Sequence, residues 1–153
     1  MDKDMIAPEK MFGTASKIFR SLSNGDWKYI PVEPYKKDSE NYQGMTRREL
    51  VGKRGENTKF HLRYFEIDPG GYSTYEHHRH EHVVYVTRGE GEVRIGCRYL
   101  PVAPGDVIYV GPDDPHQFLN PHGPEPLGFL CVVDADRDRP VEVDGAGFCE
   151  ICE

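Results

Sequence analysis

Short runs of alternating residues dominate the chain from residue 46 onwards. The clearest run, residues 60–67, divides into two sets of alternate side chains, which is the period of a β-strand. Glycine- and proline-rich turns follow at short intervals. The segments with the length and composition of strands are 46–51, 60–67, 83–86, 93–97, 99–103, 107–110, 116–120 and 127–134. Regular short strands of this kind predict an all-β sandwich or small barrel.

The N-terminal region has a different period. Its apolar residues recur at helical spacing: Met11, Phe12, Ala15, Ile18, Phe19 and Leu22. Pro8 suits a first helical turn, and Asn24-Gly25 would end the helix, so the pattern predicts one short helix over residues 8–22. Residues 27–43 mix prolines, charges and aromatic residues without a period. They predict an extended arm whose aromatic side chains need a surface to cover, such as a second subunit.

These patterns divide the chain into three parts. Residues 1–45 form the N-terminal helix and arm, 46–134 the β-domain, and 135–153 an acidic tail. After residue 25 there is no helical pattern long enough for a βαβ unit, which excludes a parallel α/β sheet. We therefore expect one all-β domain with appendages at both ends.

Composition and charge narrow the possible partners. The net charge of −7 argues against nucleic acid, and no apolar run is long enough to span a membrane. The N-terminus does not resemble a signal peptide, so we expect a cytoplasmic protein whose four cysteines are thiols or ligands. Cys149 and Cys152 have the spacing of a redox pair or half a zinc site. No second such pair accompanies them, so the pattern favours no function there.

The segment from Glu76 to His82 contains four of the seven histidines of the chain. In a strand, Glu76 and His78 share a face, and His82 has the same parity. His77 points the other way, and His80 falls in the turn. Imidazole and carboxylate groups at this density predict a metal site. The alternative is a solvated polar loop that is rich in histidine.

A second group of residues, Gly105-Asp106, Pro112, His116 and Asn120, has the spacing of a known family motif. With it, the region from about residue 60 to residue 134 resembles a small single-domain cupin of the conserved-barrel type (cupin 2). The resemblance implies a double-stranded β-helix, the jelly-roll barrel of the cupin superfamily. It also implies a metal ion inside the barrel and a homodimer that pairs through sheet edges and arms.

The first cupin motif departs from its usual form here. A literal His-x-His at His78 and His80 would put the third ligand at residue 84 or 85, and neither side chain can bind a metal ion. Counting back seven residues from Gly89 gives His82 instead. The ligand set that the resemblance then implies is Glu76, His78, His82 and His116. Three imidazoles and a carboxylate suit one divalent ion of Fe, Mn, Zn, Ni or Co.

Two functions of different class agree with such a site. The first is a metal-dependent enzyme, of oxygenase or isomerase/lyase type, that acts on a small polar metabolite. The second is a non-catalytic module that uses the metal to bind or sense a metabolite. No residue is assigned a catalytic role; an isomerase would need a further acid or base, for which Tyr72, Tyr85 and Glu81 are weak candidates.

Overall fold

The computed structural model describes residues 8–10 and 14–144, and every regular element in those residues is a β-strand. The strands are β1 (Glu9–Lys10), β2 (Lys17–Ile18), β3 (Glu33–Pro34), β4 (Gln43–Val51), β5 (Phe60–Tyr72), β6 (Glu76–His77), β7 (His82–Arg88), β8 (Gly91–Ile95), β9 (Arg98–Val102), β10 (Val107–Val110), β11 (His116–Leu119), β12 (Leu127–Asp134) and β13 (Val141–Glu142). No described helix is long and apolar enough to cross a membrane.

Strands β3 to β13 form one antiparallel sheet that curls into a barrel. Its main path runs β10-β7-β12-β5-β11-β6-β13, with β4 on β5 and the β8–β9 hairpin on β11. Alternate residues of β7 and β12 are buried inside, as their periodicity predicts. Phe65, Val84, Phe118 and Phe129 belong to the core that this curvature encloses. The all-β barrel is thus confirmed.

Strand β5 is longer than the sequence predicts. It continues through Pro69-Gly70-Gly71 to Tyr72, where the composition indicates a turn. Gly70 has φ 84° and its N–H donates to the carbonyl of Asn120 at 2.7 Å. A Cβ at Gly71 would lie 2.5 Å from the carbonyl oxygen of Gln43. The glycines therefore let β5 stay paired with its neighbours across an irregular stretch, rather than ending it.

The predicted helix over residues 8–22 is wrong for the residues that the structure describes. They form β1 and β2, in which Glu9 pairs with Ile18. Extended backbone lets Phe19 pack against the cluster of Ile30, Leu50 and Tyr64 on the outside of the barrel. Leu22, which a helix would place on the same apolar face, is exposed. Tertiary contact has overridden the local period; Met11 and Phe12 lie outside the described residues.

The arm packs on its own barrel. Trp27 contacts Tyr64 edge to face, with ring centroids 4.9 Å apart. Tyr35 is buried and contacts Phe65 with centroids 5.8 Å apart. The described part of the tail also returns to the barrel, where β13 pairs with β6. Arm and tail together thus surround one opening of the barrel. Residues 145–153, with Cys149 and Cys152, lie outside the described residues.

Candidate metal centre

Three histidines from separate elements meet inside the barrel. His82 opens β7, His116 opens β11, and His78 lies in the loop between β6 and β7. One ring nitrogen from each lies within 4.8 Å of the other two, and all three side chains are buried. Of the four predicted ligands, these three are brought together by the fold.

Backbone carbonyls fix two of the rings. Nδ1 of His78 donates to the carbonyl of His80 at 2.7 Å, and Nδ1 of His116 donates to the carbonyl of Asp114 at 2.9 Å. A proton held on Nδ1 leaves the lone pair on Nε2. Both rings therefore present an acceptor nitrogen to the interior, as metal-binding histidines do when an outer hydrogen bond sets their tautomer.

The third ring is held by a thiol. Nδ1 of His82 lies 3.2 Å from Sγ of Cys131, a cysteine that the sequence indicates only as a small buried residue. On the other side, Nε2 of His82 lies 2.8 Å from Nε2 of His78. Two imidazole nitrogens at this separation need either a proton or a cation between them. The role of Cys131 could not be read from the sequence, because it depends on the register of β12 against β7.

Burial keeps these imidazoles neutral. It lowers the pKa of His78 to about 4, with the neighbouring imidazoles adding to the effect. Burial likewise lowers the pKa of His82 well below its ordinary value, and lowers that of His116. Neutral imidazole is the form that binds a metal ion. Metal–nitrogen bonds of about 2.0–2.1 Å put adjacent ligand atoms about 3 Å apart, so the residues fit a divalent transition metal.

Glu76 is the cross-strand neighbour of His116, and its side chain is buried. Oε2 accepts a hydrogen bond from Oγ1 of Thr74 at 2.8 Å and pairs with the ammonium of Lys36. Its oxygens are not within the compact three-nitrogen group. Glu76 as a fourth ligand therefore stays a prediction. To bind a metal ion, the carboxylate would have to contact the ion and the ammonium of Lys36 at the same time.

Asp138 of the tail clamps the histidine loop, residues 78–81 between β6 and β7, and the sequence does not predict this contact. Asp138 accepts hydrogen bonds from the backbone N–H groups of Arg79 and His80, at 2.8 and 3.0 Å. It also lies 2.9 Å from Nδ1 of His80, whose ring stacks on His78 with centroids 3.7 Å apart. These bonds, that from Arg79 first, lower the pKa of Asp138. His80 and Asp138 are 58 residues apart in the sequence, so no local pattern predicts their contact.

The three imidazoles line a cavity of about 770 Å³, a volume that suits a small metabolite. Aromatic side chains form part of its wall, and basic side chains lie in the wall and at the mouth. The residues that matter below are Tyr35, Lys36, Phe65, Arg63, Phe118, Phe129, Arg137 and Arg139. Tyr72, Tyr85 and Glu81, considered above as acids or bases, do not line this cavity; Tyr85 and Glu81 are exposed on the outside.

Comparisons with known proteins decide the family. The family model for the cupin domain matches residues 63–133. The 1-methylthio-D-xylulose 5-phosphate methylsulfurylase of Rhodospirillum rubrum is 39% identical over 115 residues, which cover 74% of this chain and 72% of the relative. The chain belongs to the cupin family. The resemblance seen in its motifs is thereby confirmed for this cupin.

Solved structures agree with this assignment. A cupin 2 conserved barrel domain protein from Rhodopseudomonas palustris superposes with a TM-score of 0.78 at 38% identity, over 89% of this cupin and 92% of that chain. A cupin 2 domain-containing protein from Halorhodospira halophila gives a TM-score of 0.66 at 40% identity, over 91% and 90% of the two chains. The double-stranded β-helix is confirmed as the fold.

Proposed function

We propose that this cupin is a metal-dependent enzyme that acts on a small phosphorylated sugar carrying a methylthio group. The observation that supports this proposal most directly is a site of three neutral histidines at a metabolite-sized cavity. The chain is also 39% identical to the methylsulfurylase, which is named for a substrate of that class. Within the metal enzymes expected from the sequence, removal of a methylthio group is the specific reaction that this similarity supports.

The residues of the cavity suit the parts of such a substrate. The bound divalent ion would supply a Lewis acid for the carbonyl and hydroxyl oxygens of a ketose. Phe65, Phe118 and Phe129 form an aromatic wall that excludes water and suits an apolar methylthio group. Glu76 and Lys36 are paired beside the imidazoles, where they place a negative and a positive group next to the substrate.

The proposed setting is the cytoplasm, where sugar phosphates are made and used. The buried Cys131 is a thiol. Thiols agree with a reducing compartment.

A direct assay tests the function. Protein purified without a histidine tag is stripped, reloaded separately with Mn, Fe, Co, Ni or Zn, and incubated with 1-methylthio-D-xylulose 5-phosphate, with and without a thiol reductant. Loss of the methylthio group from the sugar, followed by mass spectrometry, is expected with at least one metal and not with His116→Ala. Metal and sugar phosphate binding without turnover would contradict the enzyme and favour the non-catalytic module.

A further inference from the structure

Two arginines in the wall of the metal cavity lack a carboxylate partner among the residues that the structure describes. Arg63 lies in β5 and Arg137 follows β12, and both line the cavity together with the three imidazoles. Among the described residues neither forms an ion pair, although other basic groups of the same cavity do: Lys36 pairs with Glu76, Arg47 with Glu33 and Glu49, and Arg139 with Asp38.

Arg63 reaches towards the metal ligands. It faces Cys131 across the β5–β12 pairing, and its Nη2 lies 3.7 Å from Sγ of that residue. The same sulfur contacts His82, so only one side chain separates the guanidinium from a metal-binding ring. Nε of Arg63 is buried and has no hydrogen-bond partner in the part of the chain that the structure describes, which is costly unless a ligand supplies an acceptor.

Arg137 is held in place by neutral groups. Its Nη1 donates to the carbonyl of Asp134 at 2.9 Å and lies 2.9 Å from Nδ1 of His61. Arg63 and Arg137 line the same cavity, and burial, followed by the positive charge of Arg63, lowers the pKa of Arg137. Glu49 lies across the β4–β5 pairing from Arg63, and its Oε1 forms an ion pair with Nε of Arg47 at 3.3 Å. Within the described structure, this one carboxylate is shared by the guanidiniums of Arg47, Arg63 and Arg137, so the group keeps an excess of positive charge.

We propose that Arg63 and Arg137 form an anion subsite that binds the phosphate of a phosphomonoester substrate, while its other end faces the three imidazoles. This assignment rests on the proposed function and adds which residues select the phosphorylated compound. Guanidinium forks match the geometry of phosphate oxygens, and a dianion satisfies two cations at once. The contacts through Cys131 place the subsite within reach of a five-carbon chain that starts at the metal centre.

Binding measurements test the subsite without requiring turnover. Calorimetry at fixed ionic strength compares D-xylulose 5-phosphate, D-xylulose and inorganic phosphate on the metal-loaded protein. We expect Arg63→Gln and Arg137→Gln each to weaken binding of the sugar phosphate by about tenfold or more, and to leave D-xylulose unchanged. Inorganic phosphate should bind more weakly than the ester and show the same dependence on both arginines.

The matched control is Arg139→Gln, which removes one positive charge from the exposed mouth of the same cavity. It should change sugar phosphate binding by less than about twofold, because exposed charges are screened. Arg63→Lys keeps the positive charge but loses the paired N–H donors of the guanidinium, and it should retain part of the affinity for the sugar phosphate. Thermal melting confirms that each variant is folded before binding is compared.

Several results would overturn the subsite. Binding of D-xylulose 5-phosphate that is unchanged in both glutamine variants would do so, as would an equal loss in Arg139→Gln. D-xylonate bound as tightly as the phosphate ester, with the same arginine dependence, would replace phosphate by carboxylate as the ligand group.

Failure of the subsite and failure of the proposed function give different results. Turnover of 1-methylthio-D-xylulose 5-phosphate with an unchanged KM in both glutamine variants would remove the subsite and leave the function standing. Arginine-dependent phosphate binding without any turnover would do the reverse.

Discussion

The thiol of Cys131 lies 3.2 Å from Nδ1 of His82, on the side of the ring that faces away from the other two imidazoles. If Nε2 binds a metal ion, Nδ1 carries the proton and donates it to the sulfur. Cys131 would then do for His82 what backbone carbonyls do for His78 and His116. The thiol therefore contacts a side chain of the candidate metal centre as well as belonging to the apolar core.

Replacing this thiol should weaken metal binding. Cys131→Val has a similar shape but accepts no hydrogen bond, and we expect it to lower metal affinity about tenfold to a hundredfold, the usual effect of losing an outer-shell partner. Cys131→Ser keeps an acceptor and should lose less. The measurement is competition with a chelator of known affinity, with Cys97→Ser as the control outside the cavity. Equal affinity of Cys131→Val and wild type would show that the contact does not support the site.

The sequence predicts the barrel well because its signals are local. Alternation and turn residues identify the strands from β4 to β12 other than the two-residue β6, and the motif around His116 depends on spacing within a few residues. Asn120 illustrates why that motif is reliable. Its buried Nδ2 donates to the carbonyls of Ile67 and Glu125, at 3.0 and 2.9 Å, and so ties β11 to the rest of the barrel.

Features that depend on contacts between distant segments were not predictable. Asp138 reads as part of an acidic tail, yet it holds the backbone at Arg79 and His80. Arg63 reads as one polar position in an alternating strand, and only the curvature of the sheet turns it into the cavity. The helical period around Phe19 failed for a related reason, since packing against the barrel outweighs a weak local preference.

The ligand set itself is the next prediction. We expect one divalent ion per chain, held by Glu76, His78, His82 and His116. His116→Ala should lower the metal content sharply, because it removes one of few protein ligands, whereas His122→Ala, an exposed histidine, should not. Elemental analysis of protein purified without a tag measures both.

Glu76 and His80 separate two versions of this set. We expect Glu76→Gln to bind metal more weakly than wild type, since it removes an anionic group beside His116. His80→Ala should keep most of the metal, because His80 is not one of the three residues whose ring nitrogens lie within 4.8 Å of one another. The ligand assignment is wrong if His80→Ala empties the site and Glu76→Ala does not.

The clamp at Asp138 should make stability depend on pH in acid. Because backbone hydrogen bonds lower the pKa of Asp138 in the folded protein, the carboxylate stabilises the fold above its unfolded pKa of about 3.9. That contribution is lost as the pH falls towards the folded value. Asp138→Asn should therefore show a shallower loss of stability than wild type below about pH 4, measured by denaturant unfolding. Hydrogen exchange at Arg79 and His80 should be faster in the variant.

Asp136→Asn is the matched control, since Asp136 is an exposed acid of the same segment whose one hydrogen bond given by the described structure is to Asp134. If the free energy of unfolding falls equally steeply with decreasing pH in Asp138→Asn and wild type, the clamp does not contribute to the stability of the fold. Faster exchange with an unchanged slope would limit its effect to the loop itself.

We predict, finally, that the protein is a homodimer, and the structure indicates which face to test. Five large apolar residues are exposed on neighbouring strands: Val83, Tyr85, Val107, Tyr109 and Val132. Val107 pairs with Tyr85, and Tyr109 with Val83, so the residues form one patch beside β10, which ends the sheet path. A contiguous apolar patch at a sheet edge is typical of an interface. Trp27 and Tyr35 of the arm, by contrast, pack on their own barrel.

Point variants are the appropriate test of the dimer, because removal of residues 1–45 would take Tyr35 out of the core. Tyr85→Lys combined with Val107→Lys should raise the dissociation constant of the dimer at least tenfold, since burying an ammonium group without a partner costs several kcal/mol. Light scattering at micromolar concentration should then report one chain of 17.5 kDa instead of two. Leu100→Lys, an exposed apolar position on β9, is the matched control and should remain dimeric. A wild-type monomer would contradict the dimer, and a dimer that survives the double substitution would move the interface elsewhere.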